Sequence, residues 1–146
     1  WGGDFEAISF VRRATKKPIL AKGLHSTDSD IKRALDHGAD YVLVVDRIPS
    51  KPDYFDRCLF EIPLKLLRQF KTWDTYRPDL KFVSNARDLR TGGIKNQIDA
   101  YVSEEVWICQ ASNLKDPMDV HPMADAFIVG EHLMSFCQKV KSVGRS

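Results

Sequence analysis

Cysteine is scarce in this chain of 146 residues: Cys58, Cys109 and Cys137 are the whole complement, and no two stand in a CxxC pair or at zinc-ligand spacing. That excludes a disulfide scaffold and a zinc ribbon. The odd count reads as reduced thiols in an intracellular setting, the cytoplasm or an organelle interior, with Cys109 packed on a strand. His25, His37, His121 and His132 form no i, i+4 pair and no H-E-x-x-H, so no metal is expected. Excess charge is also missing: 22 Lys and Arg stand against 20 Asp and Glu, and the basic residues are scattered. A net charge of +2 without a basic stripe argues against nucleic acid as a partner. No apolar run approaches the roughly 18 residues of a membrane span, and no signal peptide is visible. A cleaved transit peptide would leave no trace, and the chain begins at Trp1 without a methionine, which keeps a plastid or mitochondrion open. Internal repeats and low-complexity segments are absent as well.

What is present is the composition of one folded domain, 43% hydrophobic and 29% charged. Asp4 is a candidate N-cap for a helix through Ala14, with Phe5, Ile8 and Val11 at helical spacing. Lys17-Pro18 ends it and begins a buried strand ending at Lys22. Thr27 or Asp28 opens the next helix, with Ile31, Ala34 and Leu35 on one face and Gly38 just past its end. Tyr41 to Val45 is a continuous apolar run, as in parallel strands covered on both faces. A loop with Pro49 and Pro52 follows, then a helix from Pro63 to Trp73 with Leu64, Leu67 and Phe70 or Lys71 framing its stripe. Strands are predicted again near 81–85, 106–110 and 125–129, with a helix over Lys95 to Tyr101 between the first two. Helix alternating with strand across short loops means α/β with right-handed crossovers.

The segment Ala124 to Met134, ADAFIVGEHLM, carries the sharpest chemical signal. An apolar strand runs through Gly130 into a helix start, where unpaired backbone N–H groups can hold a phosphate. Glu131 follows directly. KPILAKG (Lys17 to Gly23), KFVSNARDLRTGG (Lys81 to Gly93) and CQASNLKDPMDV (Cys109 to Val120) each read as a strand opening into a polar loop.

Taken in order, these segments resemble indole-3-glycerol phosphate synthase, a (β/α)8 barrel of tryptophan biosynthesis. In that family the third strand ends in a K-D-F-type sequence and the sixth in N-N-R-[ND]-L-x-T; the seventh carries S-E-S-G-I and the eighth V-G-E-S-L-M. ADYVLVV is similar to the fourth strand and WGGDFEAISFVRRAT to the second helix. The resemblance implies a carbon–carbon lyase that closes an indole ring with loss of carbon dioxide and water, without a cofactor. It puts Lys22 on the general-acid lysine and Asn85 on the sixth-strand asparagine, with Arg87, Ser112, Gly130 and Glu131 as substrate- and phosphate-binding positions.

The departures are as specific as the matches. Ala111 stands where the seventh strand has its glutamate, Gly23 follows the lysine in place of aspartate, Asn113 replaces the glycine of S-G-I, and His132 replaces serine. The family's first strand, with its E-K-K-type segment, has no counterpart, and 146 residues fall short of the roughly 200 of a whole barrel. Between Val45 and Asn85 we expect no match to the fifth strand and its V-E-V-H glutamate, and hence an open seam. The expectation is a single partial (β/α)8 barrel lacking the family's first two strands and the fifth: a truncated or divergent synthase-like protein with doubtful turnover. The alternatives are a pseudoenzyme acting as a structural subunit of a larger assembly, or a phosphate-binding module. The partners implied are a phosphorylated small molecule and a protein that covers exposed strand edges. Trp1, Phe55, Trp73 and Tyr76 cluster in sequence near those seams, and read equally as interface anchors or as a satellite core.

Overall fold

The computed structural model describes residues 4–71, 80–85 and 98–143. Its chain divides into two compact units, Trp1–Lys81 and Phe82–Ser146. In the first, helix α1 (Phe5–Ala14) leads to strand β1 (Leu20–Ala21), helix α2 (Asp28–Asp36), strand β2 (Tyr41–Val45), a 3-10 turn (Pro52–Arg57), strand β3 (Cys58–Glu61) and helix α3 (Leu64–Lys71). Strand β4 (Lys81–Asn85) begins at the division and leads into helix α4 (Ile98–Val102), strand β5 (Trp107–Ala111), a 3-10 turn (Pro117–Asp119), strand β6 (Ala126–Ile128) and helix α5 (Leu133–Val143). Strand order follows chain order in each unit, β1-β2-β3 and β4-β5-β6. The β1–β2, β2–β3 and β5–β6 pairs are parallel. The fold is therefore α/β, with helix–strand repeats in the order of a partial (β/α) barrel.

Local chemistry explains where the elements begin and end. Asp4 caps α1 by accepting the Glu6 N–H at 2.9 Å. Thr27 and Asp30 form a capping box on α2, which satisfies two of the donors that a helix start leaves open. At the other end of α2, Gly38 has φ +112 and lies against Arg12, whose Cγ would sit 2.7 Å from an added Cβ. A left-handed turn and a side chain pressed against the backbone both require glycine there.

Arg12 fills that place because it is a clamp. It donates to the carbonyls of Gly38, Thr15 and Lys17 and to the Asp40 carboxylate at 2.9 Å. Asp40 in turn accepts the Ile19 N–H at 2.8 Å, so one ion pair ties α1 to the starts of β1 and β2. The Ile19 N–H and then the Arg12 guanidinium hold the Asp40 carboxyl below the usual carboxylate range.

The core of the first unit lies on β2 and β3. Val42, Leu43 and Val44 are buried in succession, as the unbroken apolar run implies. Phe55, Phe60 and Phe70 pack ring against ring at 5.5–5.8 Å, with Ile31, Ala34, Ile62 and Leu67 buried as well. Of the two readings open for Phe55 the core one holds; Trp1, Trp73 and Tyr76 lie outside the described residues. Burial of Cys58 pushes its thiol up to about 12, so it is an inert packing group.

Two expectations change. Strand β3 occupies the interval where the sequence reading left an open seam, and it pairs with β2 from Val42↔Cys58 to Val45↔Glu61. It escaped notice because CLFE is short and lies directly after a proline-rich loop. Helix α1 forms as expected, yet none of its residues is buried, and Phe10 and Val11 are 69% and 44% exposed. Its periodicity is real; its apolar stripe is only partly covered.

Candidate functional site

Parallel strands present their C-terminal ends to one side of a sheet, and that is where loops can carry polar chemistry over an apolar body. In the first unit Lys22 follows the last residue of β1 and is exposed, not sealed in a strand end. Ala21 pairs with Val42, which places Lys22 at the level of Leu43, and Leu43 pairs with Leu59. Two residues farther, Val45 pairs with Glu61. Side chains alternate faces along a strand, so Lys22 and Glu61 belong to the same sheet face. Glu61 is only 2% exposed. Sequence reasoning passed over it, although a lone carboxylate in the apolar run CLFEIPL was the signal that could have found it.

The loops around Lys22 are tightly determined. His25 sits in the left-handed region with φ +42, and its Nδ1 donates to the Leu43 carbonyl at 2.7 Å. Arg47, just past β2, donates Nε–H to the His25 carbonyl and Nη1–H to Asp28, while Asp28 also accepts the Ser50 and Lys51 N–H groups. Arg47 Nη2 is buried and has no hydrogen-bond partner among the described residues. Beside this cluster a cavity of about 580 Å3 runs between α1 and β1, with Phe5, Ile8, Val11, Ile19, Leu20 and Leu24 as its apolar wall. Lys22, His25 and Asp30 lie at its rim of polar groups.

The second unit brings two of the expected residues together. Asn85 ends β4 and is 9% exposed. Ser112, one residue past β5, donates its hydroxyl to Asn85 Oδ1 at 2.5 Å. Ser112 and Asn113 both have left-handed backbone, φ +70 and +60. The residue at 113 suits its place: after glycine, asparagine is among the residues that best tolerate this conformation. A serine held there carries strain of the kind that accompanies a constrained loop. Ala111, 8% exposed, ends β5 and offers a methyl group beside this pair, with no acid–base capacity.

The strand-glycine-helix junction also forms, with β6 ending at Ile128 and the Gly130 carbonyl accepting the Leu133 N–H at 3.0 Å. Nothing lies within 4 Å of a Cβ built on Gly130, so the space before it is open. Glu131 is 72% exposed and pairs with His132 at 3.2 Å. Arg87 lies outside the described residues. Among the described residues no group of three or more His, Cys, Asp or Glu is gathered to hold a metal ion, and no helix is long and apolar enough to cross a membrane.

No family model matches the chain. It is similar to the indole-3-glycerol phosphate synthase of Campylobacter hominis, with 46% identity over 48 residues, 33% of this chain. That match spans 18% of the length of the relative.

Proposed function

We propose that this chain is a divergent indole-3-glycerol phosphate synthase-like protein that binds a phosphorylated small molecule at its strand ends and does not turn it over. The observation that carries the reading is the uneven survival of chemistry at those ends. What supports binding lies in the second unit, where Ser112 is hydrogen-bonded to Asn85 and the backbone at Gly130 faces open space. The seventh-strand carboxylate position holds Ala111, and removal of one general acid or base commonly costs about 10²- to 10⁴-fold. Lys22 is the candidate proton donor of what remains.

Strand β3 enters this reading as the fifth strand of the family order. It lies between the segments similar to the fourth and sixth strands, and its F-E-I-P places Glu61 as V-E-V-H places its glutamate. One buried carboxylate on the face shared with Lys22 is a partial acid–base set, insufficient without a substrate held against both. The second reading, a pseudoenzyme that serves as a structural subunit, is favoured by exposed apolar residues beside β1 and β6.

The test is ligand binding followed by thermal shift and titration calorimetry, with glycerol 3-phosphate against glycerol as the pair of probes. Binding of the phosphate ester alone, abolished by Gly130→Asp with unchanged melting of the free protein, is the expected result. Equal response to both compounds, or none to either, contradicts the ligand-binding reading.

A further inference from the structure

We draw no further inference here: the strongest candidate, the cavity of about 580 Å3 between α1 and β1 with Lys22 and His25 at its rim, is an unpartnered apolar groove, and nothing in the structure shows what covers it.

Discussion

Strands β2 and β6 are alike as sequences and opposite as structures. YVLVV and AFI are both apolar, yet Val42, Leu43 and Val44 are buried on β2 while Phe127, the centre of β6, is 47% exposed. The difference is position. Strand β2 has a strand on each side and α2 packed on it, whereas β6 stands at the end of the order with α5 beside it, where Phe127 and Phe136 meet at 5.5 Å. An apolar run thus reports that a strand is to be covered, without saying what will cover it. The two units differ in the same way: the first is built round an aromatic trio and an ion-paired clamp, and the second leaves Met118, Met123 and Met134 all exposed.

The largest contrast is expected from cavity creation. Phe60→Ala removes a fully buried ring and is expected to destabilise the protein by about 3–5 kcal/mol, while Phe127→Ala is expected to lose under about 1 kcal/mol in the isolated chain. Urea unfolding measures both; equal losses would break the distinction between β2 and β6.

Next comes the acid limb of stability, which separates the two units by their clamps. Asp40 is held below the ordinary carboxylate range by the Ile19 N–H and then Arg12, and Asp116 by the Met118 N–H and then Lys139. A carboxyl depressed in the folded state adds stability above its unfolded value of about 3.9, and loses it as pH falls through the lower folded value. Asp40→Asn should therefore be less stable than the parent at neutral pH, with the gap closing below about pH 4. Asp116→Asn should show the same sign with a smaller gap, because Asp40 joins three elements whereas Asp116 joins one short turn to α5. A gap that widened towards low pH would contradict the assignment.

The smallest effect sharpens the comparison of loops. Glu105 has φ +55 in an exposed turn before β5, and its carboxylate has no partner among the described residues. Glu105→Gly is expected to stabilise by roughly 0.5–1 kcal/mol through relief of left-handed strain. The same exchange at Ser112 should give less or reverse sign, since it also removes the hydrogen bond to Asn85. Urea midpoints for the pair decide the point.

Much of the fold was legible because helix and strand periods are local properties. Asp4, Thr27 and Gly38 act as the caps and turn that their residue types imply, and the strands at 41–45, 81–85 and 107–111 lie where apolar runs were read. Strand β3 was not legible, since four residues after a proline loop carry too little period to be distinguished from loop. Within the site, the Asn85–Ser112 contact joins residues 27 apart and could be expected only through the resemblance. Glu61 was missed for another reason: burial of its carboxylate is a tertiary fact, fixed by the pairing of β3 to β2. The partial exposure of α1 belongs to the same class, because coverage depends on neighbours that spacing does not reveal.

The central claim is that binding groups persist at the strand ends while turnover does not. The direct measurement is a fluorescence assay for indole-3-glycerol phosphate formation from the carboxyphenylamino-deoxyribulose phosphate, run beside an active synthase. No product above background is predicted, and Ala111→Glu alone should not restore it, because a single carboxylate supplies about 10²- to 10⁴-fold at most. Turnover by the unmodified chain within about a hundredfold of the active enzyme, larger than the residue at 111 allows on that scale, would contradict the account.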